Sequence, residues 1–246
     1  MIQIDKEIKA KRNEDYNKKA RKYPAYLSLA IPIVLGVAMG VKDMTLSNMW
    51  VKGLTYLISI STISTALFFL LRFTLRDISK FYPGKILFCD RLKPTTRLLY
   101  STDATFSEDK KSDIRRKIKS KKTIDLQKFK NKTYKNKNYV KRVDEAVDWL
   151  LDVTRFDDIL FEYNCLYGFW RNFTAALFVD ALLVLGLAAV NKWLYPLPFG
   201  PALFWIGIIV LILTMITTIV AYSNGRTFAK KVYDVFMNLN DDKGNY

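Results

Sequence analysis

Four long apolar segments constrain the fold more than any other feature of this sequence. Residues 24–41, 53–71, 173–190 and 199–222 contain neither Lys nor Arg, and Asp180 is the one acidic residue among them. Each approaches the roughly 20 residues that cross about 30 Å of hydrocarbon. A chain of 246 residues has too little amphipathic sequence to bury four such helices in a soluble core. The sequence therefore predicts four transmembrane helices, arranged as two hairpins.

The distribution of basic residues predicts how these helices are oriented. The turns at residues 42–52 and 191–198 contain only three of the 39 Lys and Arg residues. Because loops rich in Lys and Arg stay on the cytoplasmic side, both termini and residues 72–170 are predicted to be cytoplasmic. The first 22 residues include four acidic residues, which is atypical of a signal peptide. They are predicted to form a basic amphipathic arm on the inner membrane surface, although a simple basic flank explains their charge equally well.

These observations predict an all-α chain. It is expected to be an integral membrane protein with four transmembrane helices and a mainly helical, strongly basic cytoplasmic domain inserted between spans 2 and 3. Thr105 and Glu108 fit a capping box, and helices are expected to end near Phe81 (before Pro83-Gly84), Lys122 and Asn238. The predicted domains are the arm at 1–23, hairpin 1 at 24–71, the basic ligand-binding domain at 72–170, hairpin 2 at 171–222, and a cytoplasmic helix and tail at 223–246.

Positive charge is concentrated at residues 110–142, where fifteen Lys or Arg residues and two Asp residues give a net charge of +13. Such a block repels itself, and an anionic partner would relieve the repulsion. Within it, Phe129, Tyr134 and Tyr139 recur every five residues and are separated by lysines. Rings that stack on bases, alternating with ammonium groups that contact phosphates, suit a single-stranded nucleic acid or a nucleotide. Anionic lipid headgroups and a merely solvated surface are the alternatives.

This pattern defines the candidate ligand-binding residues. The expected phosphate contacts are Lys117, Lys119, Lys121, Lys122, Lys128, Lys130, Lys132, Lys135 and Lys137, the stacking residues are Phe129, Tyr134 and Tyr139, and secondary contacts are Arg115, Arg116, Lys141 and Arg142.

Polar residues inside the apolar segments are candidates for an ion pathway. Asp180 lies near the middle of its segment, where a carboxylate costs about 2.5–3.5 kcal/mol unless it faces protein or water. The second segment carries Ser and Thr residues at comparable depth, of which Ser61, Thr62 and Thr65 are the candidates. Contributed by several subunits, such groups would line a hydrated, cation-favouring pore. The alternative is that they hold helices together by close packing and hydrogen bonds.

The sequence lacks the residues of His-based catalytic sites and of the usual zinc and copper sites. The chain has no His, and Cys89 and Cys165 lie too far apart to form a metal or redox motif. It has no phosphate-binding loop, dinucleotide fingerprint, nucleophile elbow or HExxH motif. We therefore expect no cofactor, no metal and no enzymatic activity. The enzymatic alternative is a membrane enzyme acting on nucleotides or lipid phosphates.

The order of these segments, together with two short stretches, resembles the channel-forming effectors of Hailong antiphage systems, small membrane proteins paired with nucleotidyltransferases. The stretches are Lys93-Pro94-Thr95-Thr96-Arg97-Leu98-Leu99 and Phe156-Asp157-Asp158-Ile159-Leu160-Phe161-Glu162-Tyr163-Asn164. The resemblance implies a homo-oligomeric ion channel, a tetramer, in the bacterial inner membrane. It also implies that a single-stranded DNA oligomer, made by the associated nucleotidyltransferase, holds the pore shut, and that its loss during infection depolarises the cell. The non-conducting alternative is a membrane-anchored scaffold whose basic domain binds anionic lipid, nucleic acid or a partner protein.

Overall fold

A computed structural model of the protein describes residues 2–42, 49–82, 93–126, 137–194 and 200–239. These ranges contain helices and short connections but no β-strand, so the predicted all-α class is confirmed. The helices are α1 (Ile2–Asn17), a π-helix (Lys18–Lys22), α2 (Tyr23–Ser28), α3 (Ala30–Lys42), α4 (Met49–Phe81), α5 (Pro94–Leu98), α6 (Glu108–Lys122), α7 (Lys137–Val153), α8 (Asp158–Trp193) and α9 (Gly200–Asn238).

The observed helix ends confirm most of the predicted ones. Helices end at Phe81, Lys122 and Asn238 as expected, whereas the predicted break at residues 83–84 lies outside the described residues. The predicted capping box is wrong. Ser107 is the N-cap of α6, because its Oγ accepts a hydrogen bond from the Lys110 amide at 3.3 Å.

Within the described residues, three helices are long and apolar enough to cross a membrane. They are α8, α9 and the part of α4 from Gly53 to Leu75. The segment predicted as the first span, residues 24–41, is divided into α2 and α3 of six and 13 residues. Pro32 explains the division, because it lacks the N–H that would bond the Ser28 carbonyl and its ring crowds that carbonyl. A single helical span over 24–41 is therefore not confirmed.

The N-terminal arm is helical, but apolar and polar residues are spread around α1, which does not have the predicted apolar face. Its connection to α2 is a π-helix, and Pro24 is the second residue of α2. Pro24 has no N–H to donate to the Ala20 carbonyl, four residues back. The Nδ2 group of Asn172 in α8 supplies a donor instead, 2.5 Å from that carbonyl oxygen. One turn earlier on α8, a Cβ atom at Gly168 would lie 2.7 Å from the Tyr16 hydroxyl, so glycine permits the close approach of the arm.

The chain divides into two compact units. The first comprises Met1–Gly84 and Gly168–Ala221, and the second comprises Lys85–Tyr167 and Tyr222–Tyr246. The sequence predicts a separate cytoplasmic helix and tail at residues 223–246. In the structure these residues belong to the same compact unit as the central insert. Its interior explains why: the end of α9 contributes Ala229, Val232 and Phe236 to the same buried cluster as α6 and α7.

Buried stripes on short helices form the core of the second unit. Ile114 and Ile118 of α6 are fully buried. On α7, Val143, Val147 and Leu150 repeat on one face and are fully buried. The stretch around α5 is also part of this core: Thr95, Thr96, Leu98 and Leu99 are buried, and the Thr96 hydroxyl donates to Asp144 at 2.8 Å.

In the first unit, α4 packs through one side near its carboxyl end. Leu71 and Leu75 are buried with Ala25, Leu29, Ala175 and Ala176. Just beyond α4, the Tyr82 ring stacks on Phe178 at 4.3 Å between centroids, and its hydroxyl lies 3.3 Å from that of Thr218. Tyr82 therefore connects the end of α4 to both of the other long helices.

Candidate polyanion-binding and pore-lining sites

Helix α6 carries most of the described part of the basic block, and two of its cations face inward. Lys111 and Arg115 are 1% and 0% exposed. The Lys111 ammonium donates to the Asp103 carbonyl at 2.6 Å and to Glu108 at 2.8 Å. The Arg115 guanidinium donates to the Leu99 carbonyl at 2.8 Å and lies 3.6 Å from the Glu108 carboxylate. In this structure Arg115, predicted as a secondary ligand contact, is part of the protein interior.

A second pair of α6 cations holds the carboxyl end of α9. The Lys117 ammonium donates to the carbonyl oxygens of Met237 at 2.9 Å and Leu239 at 2.8 Å. Two turns earlier on α6, Lys110 forms a 3.0 Å ion pair with Asp234 of α9. Carbonyls at a helix end lack intrahelical donors and carry partial negative charge, so a cation stabilises them. Lys117, predicted as a phosphate contact, is thus used as a helix cap.

The other described cations of the block lie at the surface. Arg116 pairs with Asp113, and Lys119 pairs with Asp125 at 2.8 Å. The remaining exposed candidates are Lys121, Lys122, Lys141 and Arg142. The first two end α6, and the other two lie in the second turn of α7. These four exposed residues are the described candidates nearest to residues 127–136 along the chain.

Of the three aromatic candidates, Tyr139 is the one that lies among the described residues. Tyr139 is fully buried, and its ring lies edge-on to Tyr100 with the centroids 5.2 Å apart. Its hydroxyl donates to the Leu99 carbonyl at 3.5 Å, and burial raises the pKa of this phenol above its usual value of 10.0. A ring enclosed in this way is not placed to stack on a base. The remaining candidates of the segment are outside the described residues: Lys128, Phe129, Lys130, Lys132, Tyr134 and Lys135, while Lys137 begins α7 with its side chain not described.

The hydroxyl candidates for the pore lie on the outside of α4. Ser61, Thr62 and Thr65 are all exposed in the single chain. The Thr62 hydroxyl donates to the Ile58 carbonyl of its own helix at 2.8 Å. Only 6% of the most apolar stretch of α4 is buried, against 44% for α8 and 28% for α9. Of the three long helices, α4 has the least cover from its own chain.

Asp180, unlike these exposed hydroxyl residues, is buried within its own chain. Its side chain is 1% exposed, and within the described ranges neither carboxylate oxygen has a hydrogen-bond partner. Leu177 and Ala181, next to it on α8, are buried together with Val210 of α9. Asp180 is thus enclosed within its own chain and does not reach a surface that copies of the protein could share. Its predicted role as a pore-lining group between subunits does not fit this position.

Sequence reasoning missed the inward-facing and end-capping roles of the α6 cations. A pattern that could have revealed two of them is their spacing: Lys110, Ile114 and Lys117 fall at i, i+4 and i+7, on the same face as the apolar stripe. At these two positions the cations face the protein, although the segment as a whole has a high net positive charge.

Known proteins add no further constraint on the site. Comparison of the chain with models of protein families, with curated protein sequences and with solved structures finds no match. In the part of the chain that the structure describes, no group of three or more His, Cys, Asp or Glu side chains is arranged to hold a metal ion.

Proposed function

We propose that the protein is an oligomeric membrane ion channel whose basic cytoplasmic unit binds a single-stranded DNA oligomer or a nucleotide signal. The observation that carries the proposal is how little of α4 is covered by its own chain. This helix is long and apolar enough to span a membrane, is barely covered by its own chain, and exposes Ser61, Thr62 and Thr65. Hydroxyl groups on a membrane helix favour contact with other helices or with water over contact with lipid. Copies of α4 packed around a common axis would satisfy both preferences.

The basic unit supplies the ligand site in this proposal. Lys121 and Lys122 end α6, and Lys141 and Arg142 follow the start of α7. The first turn of α7 has no acidic residue, so its positive helix end adds to the charge of these side chains instead of being neutralised. The segment between the two helices contributes four lysines and the rings of Phe129 and Tyr134. Exposed cations at two helix ends, joined by a segment in which lysines alternate with aromatic residues, favour a phosphate-rich strand with stackable bases.

The remaining features of the proposal follow the sequence and the resemblance. Residues 24–41 would form the fourth span in spite of the break at Leu29, with both termini and the basic unit in the cytoplasm. The chain would lie in the bacterial inner membrane as a homo-oligomer, a tetramer by resemblance, with a nucleotidyltransferase making its ligand. Loss of that ligand during phage infection would open the pore.

Ion flux through reconstituted protein tests the channel. The full chain, treated with nuclease and washed at high salt, is placed in liposomes of phosphatidylethanolamine and phosphatidylglycerol. We expect ion release that a short oligothymidylate changes. No release in either condition would favour the non-conducting scaffold, whose basic domain binds lipid, nucleic acid or protein without a pore.

Salt dependence of oligothymidylate binding tests the ligand site. If about five phosphates are neutralised, log affinity should fall with log salt at a slope of roughly −3.5. The double variant Lys122→Gln/Lys141→Gln should flatten that slope by roughly 1.4. Lys9→Gln/Lys11→Gln removes the same charge from exposed positions of α1 and should leave the slope unchanged. A salt-independent affinity would contradict the electrostatic basis of the site.

A further inference from the structure

In the folded chain, the charged group nearest to the proposed ion pathway is not the one that the sequence indicated. The sequence placed Asp180 in a cation-favouring pore, but this carboxyl group is enclosed within its own chain. From Gly53 to Leu75, the part of α4 able to span a membrane, the sequence contains one charged residue, Arg72. The charge available to a pathway along α4 is therefore positive.

Helix geometry places Arg72 in line with the hydroxyl groups. At about 100° per residue, Ser61, Thr65 and Arg72 fall within about 40° around the α4 axis and extend over about 16 Å along it. Ser61 and Thr65 are exposed, and Arg72 is partly exposed. A face that brings the two hydroxyls to a common axis therefore brings Arg72 to the same axis, near the carboxyl end of the span.

The charge of Arg72 has no acidic neighbour on its own helix to offset it. Its guanidinium carbon lies 5.8 Å from the centroid of the Phe73 ring. Asp77, the one acidic residue of α4, forms a 3.0 Å ion pair with Lys80. In an oligomer, Arg72 from each copy would form a ring of positive charge at one mouth of the pore.

We propose that the permeant ions are anions and that Arg72 determines this preference. The inference rests on the proposed channel and specifies which ions it conducts. A ring of guanidinium groups raises the local concentration of anions and repels cations, as rings of Arg or Lys do in anion pores. The hydroxyls of Ser61 and Thr65 donate hydrogen bonds to an anion that has lost part of its water.

Reversal potentials in a potassium chloride gradient test this inference. The full chain, treated with nuclease and washed at high salt as in the flux assay, is reconstituted in planar bilayers of phosphatidylethanolamine and phosphatidylglycerol, without added nucleic acid. We expect the reversal potential of the wild type to lie on the chloride side. Arg72→Gln should lose the preference for chloride, whereas Arg72→Lys should retain it. Lys80→Gln removes one cation from the same helix, about 80° around the axis from Arg72, and should not change selectivity.

The outcomes separate this inference from the channel itself. A wild-type current that favours potassium, or a chloride preference that persists in Arg72→Gln, overturns the role of Arg72 while leaving a channel in place. Absence of any current from well-folded wild-type protein contradicts the channel. If Arg72→Gln fails to fold, the wild-type reversal potential alone still supports or overturns the anion preference.

Discussion

The junction between the arm and α8 allows a quantitative test of the packing. Asn172 donates to the Ala20 carbonyl at 2.5 Å, and both residues are buried. Asn172→Leu keeps the approximate side-chain volume and removes the donor, which leaves a buried carbonyl short of one partner. Such a loss costs about 1–3 kcal/mol. For a chain of this size, each kcal/mol corresponds to about 2–4 °C in Tm, so we expect Tm to fall by roughly 2–12 °C.

A second substitution tests whether Asn172 stabilises the fold because Pro24 has no N–H to donate to the Ala20 carbonyl. Pro24→Ala restores an N–H four residues after Ala20, which can then bond the carbonyl within the helix. In this background Asn172→Leu should cost less than half as much, and the two single effects should not add. Thr174→Val on the same helix is the control, because the Thr174 hydroxyl is buried without a hydrogen-bond partner among the described residues.

The measurement is thermal unfolding of the detergent-solubilised full chain, followed by tryptophan fluorescence for the four variants of the cycle. An equal fall in Tm with proline and with alanine at position 24 would refute the reasoning. So would a Thr174→Val variant that loses as much stability as Asn172→Leu.

Three further perturbations test other parts of the structure. Gly168→Ala should lower Tm, because a methyl group there would overlap the arm. Gly186 has open space around it, so Gly186→Ala should raise stability by about 0.5–1 kcal/mol through helix propensity. Thermal unfolding should therefore show opposite shifts in Tm for the two variants. Lys117→Met should destabilise the second unit by about 2 kcal/mol and expose the end of α9 to protease, with little effect on the salt slope of binding. Lys122→Met should flatten the salt slope of binding with little effect on stability. Because burial raises the pKa of Tyr139, the folded chain holds this proton longer than the unfolded chain, so its contribution to stability is complete below pH 10.0 and is lost as the pH rises from there. Tyr139→Phe should therefore lose less stability than the wild type on alkaline titration, and an identical alkaline loss would argue against the raised pKa.

The sequence was sufficient to predict where helices form and where most of them end. The ends of α4, α6 and α9 match the expected positions within about one residue. Such features depend on local causes, namely apolar runs, helix breakers and residues a few positions apart. The division of residues 24–41 also has a local cause in Pro32, so the sequence contained the information that a single span there would be interrupted. The apolar length of three helices was likewise readable from composition alone.

Only the tertiary structure decided which polar residues face outward. Lys117 and Lys119 are nearly identical in sequence context, yet one caps a helix 120 residues away and the other lies at the surface. Tyr139 continues the spacing of Phe129 and Tyr134 but belongs to the core. Asp180 was placed by depth in its segment, whereas its enclosure depends on how α8 and α9 pack. Net charge and spacing are properties of the chain, but the direction of a side chain is determined by neighbours that are distant in sequence. For that reason the sequence predicted a basic surface, and the fold determined which of its cations remain on it.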